Sequence, residues 1–302
     1  MNNSDEQRAA RSPRHEEPSI PTDTARVEGG IRAAGKGPRR PVGRGPVVTV
    51  VTVVRNGETF LERTIQSVIG QTYDAVELII IDGGSTDGTL DIIRRYDAKI
   101  EYWSSEPDKG IYDAMNKGID LATGEWVFFL NGGDELSHNE VFSQLVPELH
   151  DDIDVLYGRH EVVYDDNYSR TPALGDLRNL WKGMVFCHQS MLVRTPIMKH
   201  LKFNSESRIA ADYEFIFTLY AQQRRFHAVD RVIARITADG YSSSNNLKMI
   251  REQWRVVKRF KGQSIALDCY YLGSLASVAV KNMVKHCLPR RMVNNLRSRQ
   301  GI

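Results

Sequence analysis

The stretch VVTVVTVV at residues 47–54 decides the fold, because it is a nearly unbroken run of β-branched residues. Such a run is typical of a strand that is buried on both faces, as parallel strands are in sheets covered by helices. The dipeptide Asn56-Gly57 interrupts the run, and apolar residues then recur at helical spacing over residues 60–71. The sequence therefore predicts a parallel strand followed by a helix.

The alternation of strand and helix continues through the first half of the chain. Further strands and helices are predicted at 77–81, 89–96, 100–104, 112–122 and 126–130. This order indicates an α/β fold with a mainly parallel central sheet flanked by helices. The second half is less regular, and we expect a strand at 155–157, a hairpin turn at 165–167 and a helix at 212–222.

Composition excludes several classes of function. The 302 residues carry 40 basic and 38 acidic side chains, a net charge of +2, so the strongly basic balance of nucleic-acid-binding proteins is missing and no nucleic-acid partner is expected. Three scattered cysteines argue against a disulfide framework and favour a reducing cytoplasm. No segment reads as a signal peptide or as a membrane-spanning helix.

Three segments are expected along the chain. Residues 1–46 contain no aromatic residue and are rich in Arg, Pro and Gly, so they are predicted to form a disordered tail. Residues 47–245 form the α/β domain. Residues 246–302 are predicted to be a helical, basic extension, since no acidic residue follows Asp268. This extension either binds an anionic membrane surface or is a solvated helix.

Carboxylates follow several predicted strands, at the edge of the sheet where α/β proteins bind ligands. Asp82 precedes Gly83-Gly84, which allow a ligand to approach the backbone, although the carboxylate could instead cap the turn. Asp134 follows an Asn-Gly-Gly turn and offers a hard oxygen ligand to Mg²⁺ or Mn²⁺ on a diphosphate; the alternative is a solvated acid.

Two further acids and a histidine are candidate catalytic or ligand residues. Asp212 and Glu214 begin an apolar helix. A carboxylate there could take a proton from a hydroxyl, or it could stabilise the helix through the dipole at its N-terminus. His188 is either a packed core residue or a ligand. The loop after the first strand lacks the Gly-x-Gly-x-x-Gly pattern, which argues against a nicotinamide-dependent enzyme.

Taken in order, five blocks resemble the family 2 glycosyltransferases of the GT-A fold, especially their branch in bacterial exopolysaccharide and colanic-acid-type synthesis. The blocks are IIDGGSTDGT at 80–89, SEPDKGIYDAMNKG at 105–118, FLNGGD at 129–134, CHQ at 187–189 and ADY at 211–213. The likeness covers residues 47–245, and its second block is specific. It implies a nucleotide-diphospho-sugar transferase fold of the GT-A type and an inverting hexosyl transfer.

The resemblance also implies roles for particular residues. A nucleotide diphosphate sugar would bind at four polar positions: Asn56, Asp82, Asp108 and Asn116. Asp134 takes the place of the metal-binding acid of the family's Asp-x-Asp motif, whose earlier acids are here Asn131 and Gly133. Asp212 matches the general base of the family's Glu-Asp motif, although the preceding Glu is here Ala211.

The acceptor is expected beside His188 and Gln189. By the resemblance it is a hydroxyl of a lipid-linked glycan or oligosaccharide in exopolysaccharide or cell-envelope polysaccharide synthesis, at the inner face of the cell membrane. Two other functions compete with this one. A nucleotidyltransferase would need a Gly-rich basic loop after the first strand, and Arg55-Asn56-Gly57 is too sparse. A non-catalytic sugar- or nucleotide-binding protein is suggested by Ala211 and by the missing second metal acid.

Overall fold

The computed structural model describes residues 26–36, 45–165, 167–207, 209–238 and 246–287. In chain order the strands are β1 (Val27–Gly29), β2 (Val48–Val54), β3 (Val76–Asp82), β4 (Tyr102–Ser105), β5 (Trp126–Phe129), β6 (Glu135–Leu136), β7 (Val155–Asp165), β8 (Tyr168–Arg170), β9 (Met191–Arg194) and β10 (Phe226–Thr237). The α-helices are α1 (Leu61–Ile69), α2 (Thr89–Arg95), α3 (Ile111–Leu121), α4 (Val141–Leu145), α5 (Thr195–Leu201), α6 (Ala211–Ala221), α7 (Asn246–Lys261) and α8 (Ile265–Cys287). Short 3-10 helices lie at Asp97–Lys99, Val146–Glu148, Leu177–Lys182 and His188–Ser190.

The strands form one sheet in the order β1-β4-β3-β2-β5-β9-β7-β10-β6, with β8 paired to β7. Strands β4, β3, β2 and β5 are mutually parallel, as are β7 and β10. Strand β9 runs antiparallel to both β5 and β7 and joins the two halves. The predicted α/β fold with a mainly parallel core is therefore confirmed.

The central strand β2 explains why the polar loops converge. Each of its seven residues is buried, which fits the β-branched run in the sequence. It pairs in register with β3 from Val48 opposite Val76 to Val54 opposite Asp82, and its other edge pairs with β5. Because these strands are parallel, the loops that follow them lie at one edge of the sheet.

Helices cover both faces of the sheet. Helix α1 places Leu61, Ile65 and Val68 on one face at helical spacing. Helix α3 lies on the other face and approaches β2 closely, because a Cβ on Gly118 would collide with Val51. The close contact holds the C-terminal half of α3 against the middle of β2.

The N-terminal segment departs from the expected disordered tail. Residues 26–36 are folded: β1 pairs antiparallel with β4, and the Gly30 amide donates to Asp97 Oδ1 at 2.7 Å. The Arg32 guanidinium reaches the Glu77 carboxylate at 3.1 Å and donates to the Leu121 carbonyl at 2.9 Å. The prediction was wrong for this segment because a short strand can complete a sheet edge without aromatic residues. The rest of the predicted tail, apart from residues 45 and 46, lies outside the described residues.

The C-terminal helices share the main hydrophobic core. Val256 and Val257 of α7, together with Leu267 and Tyr271 of α8, are buried in the same cluster as residues of α3 and α6. The boundary expected at residue 245 therefore does not separate two cores. Within the described residues no helix is both long and apolar enough to cross a membrane. The basic residues after position 287 lie outside the described part of the chain.

Candidate active site

Two neighbouring cavities open at the carboxyl edge of the central strands. The loop cavity has a volume of about 600 Å³ and is lined by residues that follow β2, β4 and β5. The apolar cavity has a volume of about 670 Å³ and is lined by the segments around β7, the 3-10 helix His188–Ser190 and the start of α6. Four residues, here called the junction, line both cavities: Ile111, Tyr112, Asn131 and Gly132. Ligands in the two cavities would therefore touch at the junction.

The wall of the loop cavity carries two cationic side chains, Arg55 after β2 and Lys109 after β4. Both are exposed, and within the described residues neither forms an ion pair. The hydroxyl residues Ser205 and Ser207 line the same cavity. Unpaired cations with hydroxyl donors suit a ligand that contains phosphate groups. The sequence alone gives neither cation a role.

Asp82, expected to contact the nucleoside, is not on the wall of either cavity. It is 0% exposed, and its carboxylate accepts hydrogen bonds from the Ser85 amide at 3.0 Å, the Ser105 hydroxyl at 2.5 Å and the Ser85 hydroxyl. The Ser85 hydroxyl in turn accepts from the Asn56 amide at 2.7 Å. This buried carboxylate holds the loops after β2, β3 and β4 together, and its contact with the nucleoside stays a prediction.

Asn56 takes part in the same network. Its backbone has φ 53°, a left-handed conformation that asparagine tolerates better than most residues. Its side-chain oxygen accepts from the Thr86 amide at 2.9 Å, which holds the loop after β3 against the loop after β2. The residue is exposed beside Arg55, so it borders the loop cavity without being part of its wall.

Asp108 lies on the wall of the loop cavity, as predicted for a donor-binding residue. Its Oδ1 atom accepts from the Gly110 amide at 2.8 Å, which turns the chain into α3. A Cβ on Gly83 would collide with its other carboxylate oxygen, so a larger residue there would push this flexible side chain aside. Gly83 therefore leaves room for Asp108, whereas Gly84 has a φ of 74° and packs against the backbone of Pro107.

Asn116 is not brought to this site. Its amide nitrogen donates to the Phe203 carbonyl at 2.8 Å, and its amide oxygen accepts from the Phe203 amide, also at 2.8 Å. Both polar ends of the side chain are thus used to join α3 to the segment after α5. Asn116 thus acts as a structural clamp, and its expected role in donor binding stays a prediction.

Asp134 lies in the apolar cavity at its polar end. It is 6% exposed, and its Oδ2 atom accepts from the Gln189 side-chain amide at 3.1 Å. Burial raises the pKa of Asp134 to about 6. Within the described residues no Lys or Arg forms an ion pair with it, so its negative charge is not balanced by a basic side chain. Gln189, expected near an acceptor, here contacts this candidate metal ligand.

Asp212 is held beside the junction by groups from distant parts of the chain. Its Oδ1 atom accepts from the Tyr213 amide at 2.8 Å and lies 3.2 Å from the Tyr112 hydroxyl, whose proton it shares with the Ile209 carbonyl at 2.9 Å. Its Oδ2 atom lies 3.0 Å from His188 Nδ1, and His188 Nε2 lies 3.3 Å from the Asn131 side-chain nitrogen. Burial and the neighbouring carboxylate raise the pKa of Tyr112, so its hydroxyl stays protonated and can donate.

Glu214, the alternative catalytic acid, is directed elsewhere. Its carboxylate lies 2.6 Å from the Arg259 guanidinium and within 3.4 Å of the Asn204 amide, and the residue lines neither cavity. An acid without a sequence signal of its own also supports the site: Glu252 of α7 accepts from the amides of Ile209 and Ala210 at 3.1 and 3.0 Å. It therefore fixes the segment that leads into Asp212.

The remaining wall of the apolar cavity is built mainly from aliphatic and aromatic side chains: Met115, Leu174, Met184, Val185, Phe186 and Met249. Burial lowers the pKa of His160, which lines the same cavity, so its imidazole stays neutral. Burial also raises the pKa of the Cys187 thiol, which therefore stays protonated and is a poor nucleophile. The cavity combines this apolar wall with polar and charged residues that include Asp134, Arg159 and Asp212.

Comparison with known sequences identifies relatives of the chain. A family model described as "Glycosyl transferase family 2" matches residues 49–211. A PGL/p-HBAD biosynthesis glycosyltransferase of Mycobacterium bovis BCG is 31% identical over 176 residues, which cover 56% of this chain and 68% of the relative. An uncharacterized glycosyltransferase of Haemophilus influenzae is 27% identical over 235 residues, which cover 75% of this chain and 93% of the relative.

Solved structures resemble the fold. Staphylococcus aureus TarS 1-349 in complex with UDP-GlcNAc superposes with a TM-score of 0.58 at 18% identity, covering 74% of this chain and 70% of that one. The mannosyltransferase PcManGT from Pyrobaculum calidifontis in complex with GDP-Man and Mn²⁺ gives a TM-score of 0.57 at 15% identity, covering 85% and 80%. The expected GT-A type architecture is thereby confirmed.

Proposed function

Because this chain belongs to glycosyl transferase family 2 and is a glycosyltransferase, we propose that it moves a sugar from a nucleotide diphosphate to an acceptor hydroxyl, with inversion at the anomeric carbon. The observation that carries the proposal is the junction between the two cavities. The loop cavity has unpaired cations for a diphosphate, and the apolar cavity has Asp212 for a hydroxyl. A donor and an acceptor bound there would meet at Asn131 and Gly132.

The donor occupies the loop cavity in this proposal. Arg55 and Lys109 would neutralise the diphosphate, and Asp108 would accept hydrogen bonds from the ribose or the sugar. Asn56 and the buried Asp82 would act on the donor through the loops that they hold together. The related folds that bind UDP, UDP-GlcNAc and GDP-Man support a nucleotide-sugar donor.

A divalent cation, Mg²⁺ or Mn²⁺, would bind at Asp134. The residues fit it as an open site, since the buried carboxylate has a neutral amide as its hydrogen-bond partner and no basic side chain paired with it. No cluster of three or more His, Cys, Asp or Glu that could hold a metal occurs among the described residues. Cations bound to diphosphates commonly use only one or two protein carboxylates. When bound, the ion would neutralise charge on the departing diphosphate.

Asp212 would provide general-base catalysis at the acceptor hydroxyl. Tyr112 and the Tyr213 amide hold its carboxylate at the start of α6, beside the junction. As the hydroxyl loses its proton, its oxygen bonds to the anomeric carbon and the bond to the diphosphate breaks. One displacement inverts the configuration at that carbon. The protonated Cys187 thiol makes a covalent two-step route through that residue unfavourable.

The acceptor is proposed to be a lipid-linked glycan of exopolysaccharide or cell-envelope polysaccharide synthesis. The apolar wall of the cavity supports an acceptor that carries apolar groups near its reacting hydroxyl. Helix α8 supports a membrane-proximal location, because its outer side exposes Ile265 by 84%, Leu272 by 55% and Met283 by 64%. Basic residues follow this helix in the sequence and would favour the anionic inner face of the membrane.

Donor binding tests the first half of this proposal. We expect UDP- or GDP-sugars with Mn²⁺ to raise the melting temperature of the protein. Arg55→Ala and Lys109→Ala should each weaken donor binding about tenfold, since a charged hydrogen bond contributes about 1.5–3 kcal/mol. Lys99→Ala, an exposed lysine outside both cavities, is the matched control. Equal donor affinity in all three variants would contradict the placement of the donor.

Transfer to defined acceptors tests the second half. A labelled donor should pass its sugar to a polyprenyl-diphosphate-linked saccharide faster than to the free saccharide, because the apolar cavity and α8 favour the lipid-linked form. Leu272→Ser with Met283→Ser should reduce sedimentation with anionic vesicles while leaving donor binding unchanged. Equal transfer to both acceptors and unchanged sedimentation would contradict the lipid-linked, membrane-proximal acceptor.

A further inference from the structure

Helix α7 contributes one face to the apolar cavity. Met249 and Gln253 lie four residues apart on this helix, and both line the cavity. The side chains next to Gln253 in the sequence are held by other partners: Glu252 accepts from two backbone amides of the segment before α6, and the Trp254 indole donates to Asp268 at 2.9 Å. These contacts hold α7 in the orientation that directs Gln253 to the cavity.

The side-chain amide of Gln253 is buried and unpaired. The residue is 6% exposed, and its amide has no hydrogen-bond partner among the residues that the structure describes. A glutamine amide carries two N–H donors and an oxygen acceptor, and burial of such a group without a partner is unfavourable. A ligand in the cavity that both donates and accepts hydrogen bonds would therefore gain affinity from this side chain.

A second unpaired polar side chain, His160 of β7, lines the same cavity. Within the described part of the chain its imidazole forms no hydrogen bond and no ion pair. Burial, together with the nearby His188, lowers the pKa of His160, so the ring is neutral near pH 7 and carries one N–H donor and one acceptor nitrogen. Like the amide of Gln253, it can bond a hydroxyl that donates or one that accepts.

The other side chains of the cavity decide between classes of ligand. Arg159 is a cation of the same wall, but its guanidinium lies 2.8 Å from Asp230 Oδ1, so a phosphate would have to compete with that carboxylate. A hydrocarbon chain alone would leave the amide and the imidazole unpaired. A neutral sugar ring suits both features, because its hydroxyls can bond Gln253 and His160 while its C–H groups pack against apolar side chains such as Phe186.

We propose that Gln253 and His160 are specificity-determining residues, which bind ring hydroxyls of the acceptor's terminal sugar while another hydroxyl of that ring faces Asp212. This inference rests on the proposed function and specifies which part of the acceptor enters the apolar cavity. Helix α7 follows residues 49–211, the part of the chain that matches the family model. Selection of the acceptor by Gln253 therefore depends on a helix outside the shared domain.

Direct binding of glycosides tests this sugar subsite without requiring transfer. The probes are octyl β-glucoside, octyl β-galactoside and their single-deoxy derivatives, with 1-octanol as the probe that lacks a sugar. Gln253→Leu and His160→Phe should each weaken the glycoside that wild type binds best about three- to tenfold in calorimetric titrations, since each removes neutral hydrogen bonds. Binding of 1-octanol and the melting temperature should stay close to wild type. Gln263→Leu, at an exposed glutamine between α7 and α8, is the matched control.

The deoxy derivatives separate a lost hydrogen bond from a change in the shape of the cavity. The derivative that lacks the hydroxyl bound by Gln253 should bind wild type about as weakly as the intact glycoside binds Gln253→Leu. Combining both changes should add little further loss. In transfer assays, Gln253→Leu should raise the KM for the glycoside and leave the rate at saturating acceptor within a few-fold of wild type.

Three results would overturn the sugar subsite: no glycoside binding to wild type, equal glycoside affinity in wild type and Gln253→Leu, or an equal loss of affinity for the glycosides and for 1-octanol. Failure of the proposed function is a different result, in which wild type neither transfers nor hydrolyses UDP- or GDP-sugars although glycoside binding still depends on Gln253. That result would reject the transfer reaction and leave Gln253 as part of a sugar-binding site.

Discussion

Asp82 and Asp212 are both buried or nearly buried acids at the edge of the sheet, but the chain holds them in different ways. Asp82 is 0% exposed and bonds to hydroxyl and amide groups of its own α/β units, among them Ser85 three residues later. Asp212 keeps 17% of its side chain exposed and bonds to Tyr112, one hundred residues earlier, and to His188. An acid whose hydrogen-bond partners all lie in neighbouring loops holds the site together. An acid that lines a cavity and is held by residues from distant parts of the chain can act on a ligand.

The largest expected effect that sharpens this comparison is at Asp212. Asp212→Asn keeps the shape of the side chain and removes its charge, so transfer should fall about 10²- to 10⁴-fold while donor affinity barely changes. Single-turnover rates with saturating donor and acceptor measure the loss. Glu214→Gln lies on the same helix but is paired with Arg259, and it should stay within about tenfold of wild type. A near wild-type rate in Asp212→Asn would remove this residue from the chemistry.

The next effect is expected at Asp134. Asp134→Ala should abolish most of the dependence of the rate on Mn²⁺ and lower transfer about 10²-fold or more, because a bound ion contributes several kcal/mol of charge stabilisation. Glu135→Ala is the matched control, since Glu135 faces Arg63 at 3.6 Å and lies outside both cavities. Rates measured across a Mn²⁺ titration distinguish the two. Unchanged metal dependence in Asp134→Ala would place the ion elsewhere.

A smaller effect on the transfer rate is expected at Asp82, and this variant tests whether Asp82 only supports the site. Asp82→Asn should weaken donor binding about tenfold and destabilise the protein by about 1–3 kcal/mol, because buried hydroxyl donors lose a charged acceptor. The rate at saturating donor should stay within a few-fold of wild type. Calorimetric titration measures the donor affinity, and urea unfolding measures the stability. A collapse of the saturated rate would mean that Asp82 also takes part in the reaction.

The smallest effect on transfer is expected at the amino ends of the central strands, where we expect a substitution to change stability only. Arg32→Ala removes the ion pair with the largely buried Glu77 and the bond to the Leu121 carbonyl. Stability should fall by about 1–3 kcal/mol, with the rate per folded molecule unchanged. Lys36→Ala, an exposed neighbour in the same segment, should change neither quantity. Equal stability of the two variants would show that residues 26–36 rest on the sheet without supporting it.

The first half of the fold could be predicted because its signals are local. The β-branched run of β2 and the alternation of strands and helices are visible in short windows of sequence, and the observed bounds differ from the expected ones by one or two residues. The strand β7 is expected to end at Tyr157 but runs to Asp165, through residues that are half-buried up to Val163 and exposed at its end. Pairing with β10 and β8, which no local pattern reveals, extends it.

The candidate site, too, could be predicted only where its signals are local in the sequence. The sequence indicated Asp108, Asp134 and Asp212 as site residues, and each lines a cavity. It could not show that Asn116 binds the Phe203 backbone, nor that Tyr112 and His188 hold Asp212, since these contacts join segments 87, 100 and 24 residues apart. The roles of Arg55 and Lys109 were equally hidden, because a cation after a strand gains meaning only from the cavity that it lines.

A crystal structure of the protein with Mn²⁺ and a nucleotide sugar analogue that resists transfer would test the proposed active site directly. The diphosphate should lie beside Arg55 and Lys109 in the loop cavity, the ion at Asp134, and the anomeric carbon at Asn131 and Gly132. Asp82 should make no contact with the ligand. A nucleotide bound in the apolar cavity, or an anomeric carbon remote from Asp212 and His188, would contradict the central claim that the two cavities are the donor and acceptor halves of one active site.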